Sequence, residues 1–511
     1  MAITTFAAID IGSYETSLKI FEMSKKYGLK EINHVRYRLE LGKDSYMTGK
    51  INSAVLDELC KVLGGFWQIM EEYQVTDYRI CSTSALREIE NSELIVEQIY
   101  RRTGMQVDIL SNSEQRFIGY KSIAAMETGF KKMIQKSTAI LDVGGGSVQV
   151  SLFDNDTLVT TQNIKIGSLR IRERLKDLEK DTTHYDQLIE EFIRHDLLSF
   201  QRLFLKDREI KHVILLGDFL TDTIFHEDIR DQILTRTEFM NRYEAVAHKS
   251  SDALAAEMGI AQEYASLVVP TVVIYKGFLD ILGAEALWTP GVSLTDGIAY
   301  DFGERNKILK TKHNFENDIL VAAANIGKRY SSERSHIQGT TQLALGIFDG
   351  MKKLHGMGSR ERLLLQLAAI LHDCGKYISM ENVAQCSYNI IMSTEIIGLS
   401  NREREIIANV VLYNTSDFYC YEEMRLKNGM DRHTYVQVAK LTAILRLANA
   451  MDRSHYQKVE GLKVVLRGGE LQVIVDSSRD FSLEMGLLRG QSDFFHDIYG
   501  VYPVLKRKRK V

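Results

Sequence analysis

Two glycine loops that each begin with an aspartate carry the clearest chemical signal in the sequence. Residues 10–13 read Asp-Ile-Gly-Ser, and residues 142–147 read Asp-Val-Gly-Gly-Gly-Ser. Glycine lets backbone N–H groups come close to an anion, and a neighbouring carboxylate can hold Mg²⁺ that neutralises a phosphate. One such loop alone is usually only a turn. Because the pattern occurs twice, we predict a phosphate-binding site formed by both loops.

The segments around the loops form an internal repeat. Residues 6–13 are echoed by residues 138–145, about 130 positions later. Apolar residues then alternate with a period of two after each loop, which predicts half-buried strands. Helical patterns follow, for example at residues 54–73 and 185–204. The repeat therefore predicts two α/β domains with a cleft between them.

The second half of the chain has a different pattern. Residues 314–454 contain apolar helical patterns and no proline, which favours a helical bundle. Further on, Gly468 and Gly469 separate two apolar runs and predict a β-hairpin. We predict domain boundaries at residues 1–130, 131–308, 309–458 and 459–511, the last being a small α/β cap.

Composition restricts the class of protein. The formal net charge of −4 provides no general attraction to nucleic acid. The five cysteines include no CxxC pair, as in proteins of a reducing compartment. The chain begins directly with a strand pattern instead of a signal peptide, and we found no stretch near the ~20 apolar residues of a membrane span. We expect a cytoplasmic protein that binds neither nucleic acid nor membranes.

Further motifs make the chain resemble a known family over essentially its whole length. The matching stretches are residues 10–13, 82–88, 110–115, 142–147 and 167–170. They resemble the exopolyphosphatase/guanosine pentaphosphate phosphohydrolase (Ppx/GppA) family. The resemblance implies an α/β actin-like fold of duplicated ribonuclease H-like domains. It also implies a homodimeric enzyme that uses Mg²⁺ to remove terminal phosphate from inorganic polyphosphate or guanosine pentaphosphate.

The resemblance also implies roles for individual residues. Asp10 and Asp142 would hold the metal ion, and Arg87 would bind the phosphate chain or stabilise developing negative charge. An ion pair of Arg87 with Glu88 or Glu90 is the alternative. The candidates for phosphate binding are Gly12, Ser13, Gly144, Gly145, Gly146 and Ser147.

The chain departs from the family where a carboxylate should activate water. The two acidic positions of the family are Gln115 and Gln149 here, and an amide cannot accept a proton productively. Either Glu114 or Glu15 replaces the missing base, or the cleft mainly binds its ligand as a catalytically impaired sensor. Residues 217–219, Gly-Asp-Phe, also lack the glycine turn that is usual in the family.

A second group of metal-ligand residue types lies in the helical half. His336, the pair His372 and Asp373, and Asp452 follow the order of HD metal-dependent phosphohydrolases. Imidazole and carboxylate together suit Mn²⁺, Fe²⁺ or Zn²⁺. The order predicts an all-α HD-like domain with one divalent metal ion and, as an alternative function, an HD-type phosphohydrolase. Core histidines with satisfied hydrogen bonds are the competing interpretation.

Overall fold

A computed structural model describes residues 3–126, 133–154, 157–179, 182–206, 208–216, 224, 233–310 and 313–508. The chain divides into two compact units, Met1–Phe315 and Glu316–Val511. The four finer domain boundaries stay predictions. The altered turn at residues 217–219 lies outside the described residues.

The described residues of the first unit form two sheets, and the first of these has five strands. These are β1 Thr4–Ile11, β2 Glu15–Ser24, β3 Gly28–Arg38, β4 Asp77–Ser82 and β5 Val107–Ile109, in the order β3-β2-β1-β4-β5. Strands β1, β2 and β3 are antiparallel neighbours, whereas β4 and β5 continue parallel to β1. Residues 6–9 of the central strand β1 form a continuous apolar run because both faces of the sheet are covered.

The second sheet repeats this plan. Its strands are β6 Thr138–Val143, β7 Val148–Asp154, β8 Thr157–Ile164, β9 His212–Leu216, β10 Ile233–Thr235 and β11 Ala286–Trp288, in the order β10-β11-β9-β6-β7-β8. As in the first sheet, β6, β7 and β8 are antiparallel, and β9 and β11 continue parallel to β6. The predicted internal repeat is confirmed at the level of sheet topology.

Helices cover the two sheets of the first unit. Their bounds are Leu41–Thr48, Ser53–Glu72, Ser84–Arg87, Ser92–Thr103, Asn112–Ala124, Ser168–Glu179, Tyr185–Phe200 with a π-helical extension Gln201–Leu205, Arg236–Ala247, Ser251–Met258, Gln262–Leu282 and Leu294–Arg305. One apolar core lies between the first sheet and Ser53–Glu72, and a larger one lies between the second sheet and Gln262–Leu282.

The helix Gln262–Leu282 corrects one expectation from the sequence. It is long and apolar enough, by length and composition alone, to cross a membrane. However, 72% of its most apolar window is buried inside the protein, where it forms the centre of the larger core. A helix that is apolar on all sides is expected in the core of a large domain as well as in a membrane.

The second unit begins with helices and ends with a small sheet. The helices are Phe315–Arg329, Arg334–Gly350, Lys352–His355, Ser359–Leu371, the 3₁₀ helix Cys374–Tyr377, Val383–Ser393, Asn401–Leu412, Tyr421–Asn428 and Arg432–Met451. The strands β12 Gly461–Arg467, β13 Glu470–Asp476 and β14 Tyr502–Arg507 follow, with Ser482–Arg489 and Ser492–Tyr499 between β13 and β14.

The predicted hairpin is confirmed in this sheet. Strands β12 and β13 are antiparallel and are joined by Gly468 and Gly469. Both glycines have positive φ angles, 62° and 77°, as the tight turns of two-residue hairpins require.

Candidate phosphate-binding cleft

The two glycine loops lie at equivalent positions of the two sheets and line one cleft in the first unit. Each loop connects the central strand to its antiparallel neighbour. Gly12 N donates to Glu15 O and Gly144 N donates to Ser147 O, both at 3.0 Å. The sequence-predicted residues that line the cleft are Asp10, Gly12, Ser13, Glu15, Gln115, Asp142, Gly144, Gly145 and Ser147.

Close packing, and not backbone conformation, requires glycine around the second loop. The loop glycines are not among the residues with positive φ. A Cβ atom on Gly146 would lie 2.2 Å from Tyr46 Oη, and one on Gly167 would lie 2.4 Å from backbone atoms of residues 145–147. The motif glycine at 167 thus lets the following helix pack directly against the loop.

Three hydroxyl groups meet beside the loops. Ser13 Oγ lies 2.5 Å from Tyr46 Oη and 2.9 Å from Ser84 Oγ, and Tyr46 Oη lies 2.8 Å from Ser84 Oγ. Burial raises the pKa of Tyr46, which therefore stays a neutral phenol that can donate a hydrogen bond. Hydroxyl groups can reorient their hydrogens, so this cluster can adapt to a phosphate oxygen.

Arg87 donates hydrogen bonds to the candidate catalytic residue Gln115 and to the backbone just after β5. Its Nη1 donates to Leu110 O at 2.7 Å and to Gln115 Oε1 at 3.3 Å. Glu88, the alternative ion-pair partner, instead accepts from Arg170 Nη2 at 2.7 Å. The guanidinium thereby positions Gln115, which lines the cleft.

The two candidate replacement bases occupy different environments. Glu114 forms a capping box with Ser111: its Oε2 accepts from Ser111 N at 2.9 Å, and its N–H donates to Ser111 Oγ at 3.1 Å. Its carboxylate therefore stabilises the start of Asn112–Ala124. Glu15 lines the cleft and accepts from Tyr264 Oη at 3.3 Å. Of the two, Glu15 is the carboxylate that faces the cleft.

Gln149 is a buried amide directly beside Asp142 in the sheet. The two residues are register partners in β6 and β7, and the side chain of Gln149 is buried. Neither amide atom of Gln149 has a hydrogen-bond partner among the described residues. A buried polar group without partners costs about 1–3 kcal/mol, so this amide is set up to meet a water or a ligand.

The cleft offers the donor set that Mg²⁺ prefers. Asp10 and Asp142 come from equivalent strand ends and line the same cleft. The amide oxygen of Gln149 adds a neutral oxygen next to Asp142. Mg²⁺ is bound by one or two carboxylates together with phosphate oxygens and water. The residues therefore fit this ion.

Charged residues that were not predicted from the sequence form one wall of the cleft. Lys19, His34 and Arg36 line it from β2 and β3. Lys19 Nζ pairs with Asp296 at 2.9 Å and with Glu31 at 3.0 Å, and Arg36 Nε donates to His34 Nε2 at 3.2 Å. The period-2 alternation of β2 already placed Ser17 and Lys19 on one face, but the pairing with β3 is not readable from the sequence.

The second predicted cluster also comes together, in the second unit. His336 Nε2 lies 3.1 Å from His372 Nε2, and His336 Nδ1 lies 2.8 Å from Asp452 Oδ2. Asp373 Oδ2 lies 3.8 Å from His336 Nε2. His455, which sequence reasoning missed, stacks on the His336 ring with centroids 3.6 Å apart. Its backbone is left-handed, with φ of 58°, so no helical spacing pointed to it.

Comparison with known proteins places the chain among phosphatases of one family. A family model described as "Ppx/GppA phosphatase family" matches residues 20–305, and one described as "Ppx/GppA phosphatase, domain III" matches residues 321–488. A guanosine-5'-triphosphate,3'-diphosphate pyrophosphatase of Aeromonas hydrophila is 20% identical over 452 residues, 86% of each chain. One of Pseudoalteromonas translucida is 21% identical over 418 residues, 81% of each chain.

Two solved structures share a fold with about three-fifths of this chain. An exopolyphosphatase from Cytophaga hutchinsonii has a TM-score of 0.52 at 17% identity, covering 59% of this chain and 98% of its own. An exopolyphosphatase-like protein has the same score and identity, covering 60% of this chain and 100% of its own. With the duplicated sheets, this similarity confirms the actin-like α/β fold.

The predicted HD-like domain is not supported by these comparisons. The model that matches residues 321–488 is the third domain of the same family, and it extends from the helices into the small sheet. Both family models together account for most of the sequence. The chain belongs to the Ppx/GppA phosphatase family.

Proposed function

We propose that the chain removes the terminal phosphate of inorganic polyphosphate or guanosine pentaphosphate in the cleft, with Mg²⁺ as cofactor. The observation that carries this proposal is the convergence of two Asp-Gly loops from equivalent strands on one cleft. Membership in a phosphatase family supports a phosphohydrolase. The names of relatives and of a solved structure supply the two substrate classes.

The residues of the cleft divide the work of phosphoryl transfer. Asp10 and Asp142 would hold Mg²⁺, which would supply positive charge to neutralise the phosphates. Loop backbone N–H groups other than those of Gly12 and Gly144, which donate within their loops, bind phosphate oxygens together with Ser13 and Ser147. Arg87 supplies fixed N–H donors beside Gln115. Catalysis of this kind depends mainly on position and charge, so an ordered cleft provides most of it.

Glu15 is the proposed base for the attacking water. It is a carboxylate at the cleft surface, whereas Glu114 is engaged in its helix cap. Gln115 and Gln149 orient the water through their amide oxygens but take no proton. A general base contributes ~10²–10⁴-fold to a rate, so the chain without acidic residues at those two positions is a slow enzyme unless Glu15 acts.

A matched pair of variants tests this assignment. Glu15→Gln and Glu114→Gln each remove one negative charge, and glutamine can still accept the capping hydrogen bond at position 114. We expect Glu15→Gln to lower kcat by ~100-fold with little change in binding, and Glu114→Gln to stay within about twofold of wild type. Phosphate release from polyphosphate and from guanosine pentaphosphate, with and without Mg²⁺, measures the effect. A reversed ranking would refute Glu15 as the base.

The impaired sensor is the second candidate function. The neutral Gln115 and Gln149 at the water-activating positions favour it. Calorimetric binding of each ligand, measured beside phosphate release, separates the two: tight binding with no release in wild type supports the sensor and contradicts the enzyme.

We also propose a cytoplasmic location, a homodimer and an alternative activity in the second unit. The five free cysteines support a reducing, cytoplasmic location. Family resemblance supports a homodimer. Size-exclusion chromatography with light scattering measures the mass of the protein in solution and tests this. The alternative activity is that of an HD-type phosphohydrolase, which is favoured by the close approach of His336, His372, Asp373 and Asp452. Hydrolysis of phosphomonoesters by the Asp142→Asn variant tests it.

A further inference from the structure

Four buried polar residues of the second unit converge from four different elements. His336 belongs to Arg334–Gly350, His372 ends Ser359–Leu371, Asp373 precedes the 3₁₀ helix Cys374–Tyr377, and Asp452 ends Arg432–Met451. None of these side chains is more than 11% exposed. Imidazole and carboxylate groups are expensive to bury, so their hydrogen bonds must account for every proton and lone pair.

The hydrogen bonds define the tautomer of each histidine. His372 Nδ1 lies 2.8 Å from Ala369 O, and a carbonyl can only accept, so Nδ1 carries the hydrogen. His336 Nδ1 lies 2.8 Å from Asp452 Oδ2, and an ionised carboxylate also only accepts. The hydroxyl of Thr340 lies farther from the same Nδ1, at 3.5 Å, and does not displace the carboxylate.

When both rings are neutral, both Nε2 atoms consequently present lone pairs to each other. They are 3.1 Å apart, and a neutral imidazole has only one N–H. Two facing lone pairs in a buried place repel unless a cation or a proton lies between them. Asp373 adds its carboxylate on the same side, with Oδ2 3.8 Å from His336 Nε2 and Oδ1 3.6 Å from His372 Nε2.

These distances are close to those between the ligands of one metal ion, with the separation of 3.8 Å slightly longer. Metal bonds to imidazole nitrogen and carboxylate oxygen are about 2.0–2.2 Å long, which places neighbouring donor atoms roughly 3.0–3.6 Å apart. The second carboxylate, Asp452, lies behind His336 and holds its Nδ1–H. A carboxylate in this outer position orients a ligating histidine and raises its basicity.

We propose that His336 Nε2, His372 Nε2 and a carboxylate oxygen of Asp373 bind one divalent transition-metal ion, with Asp452 as the positioning carboxylate. Two nitrogens and one oxygen select Zn²⁺, Fe²⁺, Mn²⁺ or Co²⁺ over Mg²⁺, which prefers oxygen alone. The site lies outside the phosphate cleft of the first unit, so it goes beyond the proposed function of that cleft. Three protein ligands leave at least one position open to water or a substrate.

Lys376 and His455 lie at the side of the site from which a ligand can enter. Lys376 Nζ pairs with Asp373 and is a third exposed. The His455 ring covers His336, and its Nδ1 lies 2.6 Å from Glu333 Oε2 at the surface. His455 also has a donor atom within 4.8 Å of those of His336 and Asp373, so it is able to become a further ligand.

A shared proton is the competing explanation of the same geometry. If His336 is an imidazolium, its Nε2–H donates to His372 Nε2 and no metal ion is needed. Nitrogen-detected NMR of the histidine rings separates the two at neutral pH. The metal proposal expects both Nε2 atoms to be unprotonated in the metal-free chain and both to shift on addition of Zn²⁺.

The decisive experiment measures metal uptake by the full chain. Asp142→Asn serves as the background, so that an ion in the cleft does not contribute. After treatment with a chelator, Zn²⁺, Mn²⁺, Fe²⁺ and Co²⁺ are added separately, and bound metal is measured by mass spectrometry after dialysis. We expect one ion per chain, a rise in the thermal midpoint, and Co²⁺ absorption bands of a nitrogen–oxygen site.

Matched variants connect that ion to these residues. Asp373→Asn and His372→Gln should abolish uptake, and Asp452→Asn should weaken it by 10–100-fold. His355→Asn is the control, because His355 is also buried but both of its ring nitrogens have partners, Phe348 O and Met357 N, each at 2.9 Å. Circular dichroism confirms folding of each variant. No uptake of any of the four ions, or uptake that survives Asp373→Asn and His372→Gln, would overturn the proposal, and either result leaves the cleft hypothesis untouched.

Discussion

Glu88 Oε2 accepts a hydrogen bond from Arg170 Nη2 at 2.7 Å, and this contact joins the two halves of the phosphate cleft. Glu88 follows the short helix after β4 of the first sheet, whereas Arg170 lies in the helix that follows β8 of the second. Arg170 Nε also donates to Gly146 O at 2.8 Å, and its guanidinium stacks over the Tyr46 ring. One arginine therefore holds the second glycine loop against the first half.

Arg170→Ala should loosen that loop. We expect kcat/KM for phosphate release to fall by ~10–100-fold, because displacements of about 1 Å near the reacting atoms have effects of that size. Arg101→Ala is the control: Arg101 pairs with Glu97 at an exposed site, where an ion pair contributes at most ~1 kcal/mol. Equal activity in both variants would show that the contact between the halves does not position the loop.

Gly167→Ala should damage the cleft by overpacking. The new Cβ would collide with backbone atoms of the second loop, which cannot move aside as a side-chain end could. We expect a loss of ~1–3 kcal/mol in the free energy of unfolding together with weaker phosphate binding. Gly64→Ala, in the middle of Ser53–Glu72 with open space around it, should instead stabilise by ~0.5–1 kcal/mol. Denaturant unfolding and calorimetric phosphate binding check both; unimpaired binding in Gly167→Ala would contradict the close-packing argument.

Gln149→Glu should increase phosphate release. A carboxylate beside Asp142 restores the acidic position of the family, and we expect a gain of ~10-fold or more in kcat. Gln162→Glu adds the same charge on the opposite face of the sheet, since Asn163 and not Gln162 is the partner of Gln149. Release of phosphate from polyphosphate at several pH values is the measurement. A Gln149→Glu protein no faster than Gln162→Glu would mean that the amide does not limit turnover.

His355 should make the second unit less stable in acid. Burial lowers the pKa of His355 below its ordinary value of 6.5. The unfolded chain therefore binds this proton more readily than the folded chain does. The stability that depends on the neutral imidazole of His355 is complete above about pH 6.5 and is lost as the pH falls toward the lowered pKa. We expect the thermal midpoint of wild type to decrease as the pH falls below about 6.5. His355→Asn should show a shallower drop, and the exposed His184→Asn should keep the slope of wild type; a wild-type slope in His355→Asn would contradict this account.

Much of the cleft was readable from the sequence because its signals are local. A strand, a glycine turn and a second strand are specified by period-2 alternation and by residues a few positions apart. The repeat of that unit identified Asp10 and Asp142 as equivalent positions, and the sheet order later reproduced the equivalence. The hairpin at Gly468 and Gly469 is readable for the same reason.

The roles of the residues beside the motifs could be assigned only from the tertiary structure. Glu114 and Glu15 are both carboxylates near a motif, and only the fold shows that one caps a helix and the other faces the cleft. The glycines of the second loop are required by the approach of Tyr46 and of the helix that carries Arg170, partners from distant parts of the sequence. Similarly, the order of histidines and aspartates suggested a metal, but the tautomers that point two lone pairs at each other follow from contacts with Ala369 and Asp452.

Sequence alone determined which residue types lie on each strand and turn, since those depend on near neighbours. The tertiary structure decided what each side chain meets, because burial and long-range hydrogen bonds are properties of the packed chain.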